Sequence, residues 1–273
     1  MKILEWLAEI PPIVAKIRRT VVNIGGYHDS NYRPVAKNKL HAGFEFEFQG
    51  NATHPAPAYY LKGIALPEHD GSVSVEYVTK PLPVENINKI QKLFDNVQKA
   101  LDIAKKYKRN FGNRTIYVGG SCGTHCHLSV TSEKARKYIR QRTKRGSRIV
   151  YLLWYLQQNY SHFHSLFGRG FGGYRERYSG ISDNQWENGT RLSEYSRYKW
   201  VNFTNNVTIE YRLPKFVNKH QYWKAFNACL VLHTEIINLL EEPLNSRHSK
   251  ERVVEIAHNI MGAWEKIRNE RSK

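Results

Sequence analysis

The sequence predicts an α+β fold, with helices packed on the back of an antiparallel or mixed sheet whose other face is polar. Short runs with period-two alternation are interspersed irregularly with longer segments of helical period. Four of the short runs also set charged or imidazole side chains on one face and large apolar ones on the other. At 273 residues, the chain suits one large domain or two small ones. A content of 41% hydrophobic and 12% aromatic residues supplies a real core and excludes wholesale disorder.

Residues 1–22 read as an amphipathic helix, broken at Pro11-Pro12, with Ile3, Leu4, Leu7, Ile10, Val14 and Ile17 at helical spacing. Residues 25–39 follow as an irregular connector rich in Asn, Asp and Ser. The expected division is an arm of residues 1–39 and a main domain of residues 40–273. Strands are predicted at 40–49, 73–79, 114–118, 124–130 and 207–213, the third and fourth joined as a hairpin by Gly-Gly-Ser-Cys-Gly. Helices are predicted at 84–107, with Ile87, Ile90, Leu93, Phe94, Val97 and Leu101 on one apolar face, and at 132–145, 148–167, 218–240 and 247–268. The Gly/Tyr/Asn-rich stretch 168–190 is long for a loop, which points to function. Tyr151, Trp154, Tyr155 and Tyr160 read as helix-borne packing residues and Cys229 as a buried core thiol.

The longest strongly apolar run, residues 149–156, is far short of the ~20 residues of a membrane span. Residues 1–19 carry Glu5 and Glu9 and lack the basic-then-apolar order of a signal peptide. A soluble cytoplasmic protein with no membrane partner is expected. Three cysteines are too few, and odd in number, for a disulfide scaffold. With 42 Lys and Arg against 24 Asp and Glu, the net charge of +18 favours an anionic partner: nucleic acid, nucleotide or acidic polymer.

The chemistry lies on the strands. Glu45 and Glu47 share a face opposite Phe44, Phe46 and Phe48. His125 and His127 share a face opposite Cys126, Leu128 and Val130, and Glu210 and Arg212 one opposite Ile209, Tyr211 and Leu213. Glu76 lies with Ser74 and Val78, opposite Val73, Val75 and Tyr77. Each pair alone has a bland reading as a solvated strand face or a surface ion pair. Together they point to one polar cavity, where crowded carboxylates require a cation between them. Magnesium takes hard oxygen ligands and keeps sites for water and phosphate, and the histidines bring manganese or zinc into range.

Five ordered segments carry a resemblance: Gly43-Phe-Glu-Phe-Glu-Phe48; Asp70-Gly-Ser72 with Glu76 ahead of Lys80-Pro-Leu82; Cys122-Gly-Thr-His-Cys-His-Leu-Ser129; Arg197-Tyr198 with Asn202; and Thr208-Ile-Glu-Tyr-Arg212. Across residues 40–215 the chain resembles the amidoligase family of phages and bacteria, within the glutamine synthetase-like carboxylate–amine ligases. The resemblance implies an ATP-dependent ligase that forms amide or peptide bonds through an acyl phosphate, on a glutamine synthetase-like sheet holding Mg2+ or Mn2+. It implies metal ligands at Glu45, Glu47, Glu76, His125 and Glu210, and nucleotide contacts at His127, Arg212, Arg191 and Asn202. Glu45, Glu47, Glu210, Arg212 and Arg197 would be catalytic, with Arg177 competing with Arg191 and Arg197 for phosphate or the carboxylate substrate. The implied partners are an amine and a carboxylate that is an amino acid, a peptide or a modified polymer. The location would be cytoplasmic, in the host if the protein is viral. The loop 168–190 would cover the site against water. Gln49-Gly-Asn-Ala-Thr lacks the acid expected there, so a third metal would be absent or use Asp70.

Two further readings compete. Cys122, His125, Cys126 and His127 have zinc-like spacing, but Cys126 points away from the histidines and no second cysteine pair exists. Residues 134–148 hold eight Lys and Arg, which suits contact with nucleic acid or another polyanion. A catalytically inactive relative that binds nucleic acid is therefore the alternative function, although no base-reading motif accompanies the segment.

Overall fold

A computed structural model of the protein describes residues 10–26, 39–169, 189–194, 199–205, 207–243 and 249–270. It is a mixed α/β structure with antiparallel strand pairing, formed of two compact units. Of the described residues, 10–26, 44–80 and 86–122 form the first, and 39–43, 81–85 and those beyond 122 form the second. No helix among the described residues is long and apolar enough to cross a membrane.

The first unit holds helix α1 (Pro12–Arg18), most of strand β1 (His41–Gly50), α2 (Pro55–Tyr60), β2 (Ala65–Glu68), β3 (Val75–Thr79), α3 (Ile87–Lys106) and β5 (Ile116–Tyr117). Strand β3 lies between β1 and β2, with Phe46 opposite Tyr77 and Phe48 opposite Val75. These four side chains and Phe44 are buried, and the Phe94 ring of α3 meets Phe44 edge-on at 5.2 Å. Each buried Phe contributes about 1.5–3 kcal/mol, so this apolar face pins β1. Helix α3 buries Ile90, Leu93, Phe94, Val97, Ala100 and Ala104. Asn86 caps it by accepting from the Lys89 amide, so it starts later than the apolar period predicts and leaves Ile87 exposed.

The short elements were not legible in the sequence. Pro67 interrupts any strand pattern at 65–68, yet a proline is tolerated on an edge strand such as β2. The Gly25 amide donates to its carbonyl at 2.9 Å, so residues 10–26 are tied to this edge. The expected hairpin does not form: β5 pairs instead with the end of β1, Gln49 opposite Tyr117 and Gly50 opposite Ile116. Gly50 allows this with φ of 108°, where a Cβ would lie 2.3 Å from the Thr115 carbonyl oxygen.

The second unit holds the first residues of β1, β4 (Leu82–Pro83), β6 (Thr124–Ser129), α4 (Glu133–Arg140), α5 (Lys144–Asn159), α6 (Phe163–Phe167), β7 (Val201–Asn202), β8 (Thr208–Tyr211), α7 (Lys219–Glu241) and α8 (Ser249–Asn269). Strand β8 pairs with both β6 and β7. Cys126, Leu128, Val130, Ile209, Tyr211 and Leu213 are buried, and α7 packs on β6. His233 of α7 meets the Tyr211 hydroxyl at 3.0 Å and the Ser129 carbonyl at 3.2 Å, tying the helix to two strands. The predicted helix at 132–145 ends at Arg140. Thr143 then restarts the chain as α5, its hydroxyl accepting from the Gly146 amide. Tyr160 and Cys229 are buried as expected, whereas Tyr151, Trp154 and Tyr155 keep part of their surface in solvent.

Two buried imidazoles, one in each unit, couple stability to acid. His54 accepts from the Ala56 amide through Nδ1, packs its ring 4.7 Å from Phe111, and has no hydrogen-bond partner at Nε2. Burial, helped by the Arg114 charge, lowers its pKa to about 4. Burial also lowers that of His233 to about 4, against the raising effect of the Ser129 carbonyl. Below the unfolded value near 6.5 the unfolded chain binds protons that these two sites resist, so stability falls as pH drops from about 6.5 to 4. Urea midpoints should decline across that window, and less steeply in His54→Phe; an identical slope in the variant would remove His54 from the account.

Candidate metal and anion residues

In the first unit the pairing aligns carboxylates rung by rung. Glu47 of β1 lies opposite Glu76 of β3, which lies opposite Glu68 of β2. Opposed residues share a sheet face, so all three project to one side, with Glu45 two residues along the same face. Glu47, Glu68 and Glu76 are 4%, 1% and 3% exposed, and carboxylate oxygens of Glu45 and Glu76 lie within 4.8 Å of each other. At ~5 Å and an effective dielectric of ~20, two ionised neighbours repel by about 3 kcal/mol. Hard oxygen donors at this density suit a divalent cation of the magnesium class.

Glu68 is absent from the sequence-based set because Pro67 hides its strand. Asp70 takes a different place from the one considered for it. It is half-buried, and its Oδ1 accepts from the amide and hydroxyl of Ser72, both at 2.5 Å, closing a local turn. Besides Glu47, the register places a further buried carboxylate, Glu68, beside Glu76.

In the second unit the centre is Glu210. It lies between His127 of β6 and Asn202 of β7 on one rung of the sheet. Asn202 donates Nδ2 to its Oε2 at 2.7 Å, and the Thr204 amide holds the Asn202 carbonyl oxygen at 2.9 Å, which fixes the direction of the side-chain amide. Arg212 donates Nη1 to Oε1, and His125 Nδ1 approaches the same oxygen at 3.2 Å. A ring nitrogen of His127 is within 4.8 Å of a Glu210 oxygen. Burial alone would raise the Glu210 pKa; the hydrogen bond from His125 and the charges on His127, His125 and Arg212 outweigh it and hold the group at about 2. Glu210 is thus an anion at neutral pH, clasped by donors.

Arg169, 3% exposed, is a neighbour of this cluster that sequence reasoning left unnamed inside the Gly-rich loop. A Cβ on Gly123 would stand 2.8 Å from His125 Nε2 and 3.3 Å from Arg169 Nη1, so the missing side chain lets both approach. The only local hint is an arginine directly after Phe167-Gly168. Arg191 is exposed and binds Glu194 at 2.7 Å. Arg177, Arg197 and most of the loop 168–190 lie outside the described residues. Cys122 and Cys126 are both buried, and Cys126 shares its strand face with Leu128, away from the histidines.

No family model matches the chain, and no curated protein matches it.

Glu210→Ala, which leaves Arg212 and His125 without their carboxylate, should cost about 3–5 kcal/mol, and Glu210→Gln less. The folded pKa lies below the unfolded one, so this stabilisation is present above about pH 4.5 and is lost as pH falls towards 2. Denaturant midpoints of wild type and Glu210→Gln should converge over that range; a constant difference would show that the carboxylate charge does not matter.

Proposed function

We propose that this protein is an ATP-dependent carboxylate–amine ligase of the amidoligase type. The observation that supports the reading best is the rung of His127, Glu210 and Asn202, with His125 and Arg212 on the same carboxylate. An ionised glutamate surrounded by imidazole, guanidinium and amide donors suits a site that handles metal-bound phosphate. The aligned carboxylates of the first unit offer the oxygen ligands that such chemistry needs.

On this reading Glu45, Glu47 and Glu76 are the Mg2+ or Mn2+ ligands of the first unit, with Glu68 added from the register, and His125 and Glu210 are those of the second. A divalent ion held by these residues would supply charge neutralisation at the phosphates. His127 and Arg212 bind phosphate oxygens, Asn202 keeps Glu210 in place, and Arg191 and Arg197 are left for nucleotide or carboxylate. A substrate carboxylate oxygen attacks the γ-phosphorus and ADP leaves, giving an acyl phosphate. The amine nitrogen then attacks the acyl carbon, the C–O bond to phosphate breaks, and a carboxylate of the site takes the amine proton. The protein's own contribution is positioning and charge, because phosphoryl transfer asks for little else.

Calorimetric titration of Mg-ATP tests the reading without knowledge of the substrate. Wild type should bind only with the metal present, and Glu45→Ala/Glu47→Ala should lose at least about 10-fold in affinity. Divalent ion alone should raise the melting temperature of wild type and raise it less in Glu47→Gln/Glu76→Gln. With mixed amino acids as carboxylate and amine, ADP release should fall at least about 100-fold in Glu210→Gln. Wild type that ignores millimolar Mg-ATP, alone and with those substrates, would overturn the assignment.

A further inference from the structure

The net positive charge is unevenly spread. Residues 103–182 carry sixteen Lys and Arg against two acids, Glu133 and Glu176. Within that stretch, helices α4 and α5 of the second unit sort the cations of residues 134–148 into two kinds. Arg148 is buried and donates to Glu242 at 2.5 Å, and Arg136 donates to the Val130 carbonyl, so both belong to the packing. Arg145 lies over the Tyr138 ring at 4.2 Å. Lys134, Lys137, Arg140, Arg142 and Lys144 are exposed. Among the described residues, Lys134 and Arg142 donate to main-chain carbonyls, of Glu241 and Gly189, and pair with no carboxylate. No carboxylate pairs with any of these five among the described residues, whereas Lys39, Arg191, Arg252 and Arg268 each have one.

The placement is electrostatically unfavourable for an isolated protein. Helix α5 opens on Lys144-Arg145 with no acid in its first turn, so cations stand at the positive end of the helix dipole. On α4, Lys134, Lys137 and Arg140 follow at three-residue steps on one exposed side, with Ala135 and Ile139 buried on the other. An incoming anion reverses the sign of every one of these terms.

We infer that this surface of α4 and the start of α5 docks the phosphate backbone of a nucleic acid, without reading its sequence. A run of like charge matches a line of phosphates, which repeat at uniform spacing. The segment has no exposed large apolar side chain with which to enter a bilayer, and its one aromatic ring, Tyr138, is half-buried and covered by Arg145. No base-reading element accompanies it, so affinity should depend on salt and hardly on sequence. This inference does not rest on ligase activity.

The test is fluorescence anisotropy with a labelled random-sequence 20-base-pair DNA duplex, titrated between about 50 and 200 mM salt. Wild type should bind with a steep negative dependence of log K on log salt. Lys137→Ala/Arg140→Ala/Lys144→Ala should flatten that slope by about 2–3 units and weaken binding at least 10-fold at low salt. These side chains make no contact that the fold needs, and an unchanged melting temperature confirms it. Lys89→Ala/Lys92→Ala/Lys99→Ala on α3, where Asp95 and Asp102 intervene, removes the same charge and should change affinity less than about 2-fold. Glu210→Gln should bind the duplex like wild type, which separates this result from the ligase test. Equal losses in the two triple variants would overturn the inference in favour of bulk charge. So would binding of anionic vesicles or polyglutamate in place of the duplex, or no binding at all.

Discussion

Ionised side chains can stand in a fixed array only where the backbone beneath them is unable to turn over, and strand alternation is how this protein meets that constraint. Phe44, Phe46 and Phe48 are buried on one side of β1, so Glu45 and Glu47 must project from the other. Cys126 and Leu128 do the same for His125 and His127, and Ile209 and Tyr211 for Glu210. A slip of one residue would expose three phenyl rings and bury the carboxylates among apolar groups. The apolar faces therefore set the register on which every polar rung depends.

Within that register, the two units treat charge differently. The first concentrates carboxylates, Glu47, Glu76 and Glu68 on one rung across three strands, an arrangement that favours a cation. The second surrounds one carboxylate, Glu210, with Asn202, Arg212 and His125 as donors, which keeps it ionised in spite of its burial. His233, about four turns into α7, shows the opposite outcome: burial with a neutral hydroxyl and a carbonyl as neighbours keeps it uncharged at neutral pH. At Glu210 the charged donors outweigh burial, whereas at His233 burial outweighs the carbonyl partner.

The basic segment is a third case. On the packed side of α4 and α5, Arg148 finds a carboxylate, whereas the exposed Lys134 and Arg142 find only the uncharged carbonyls of Glu241 and Gly189 among the described residues. A solvated cation costs little to leave unpaired, so the fold tolerates the imbalance and leaves it available to a partner.

Much of the candidate site was legible from local pattern alone. Period-two alternation identified Glu45, Glu47, Glu76, His125, His127, Glu210 and Arg212 as face-sharing strand residues, because side-chain direction in a strand is a property of sequence parity. The long helices were visible for the same reason, in a period of 3.6. What the sequence could not determine is adjacency between segments. Glu68 opposite Glu76, Asn202 opposite Glu210, and Arg169 against Gly123 arise from strand register and chain reversal, which no local period encodes. The pairing of β5 with β1 likewise depended on one positive-φ glycine. Tertiary structure alone also decided which cations of 134–148 are spent on packing, since a charge in the sequence says nothing about the carbonyl or carboxylate that folding brings beside it.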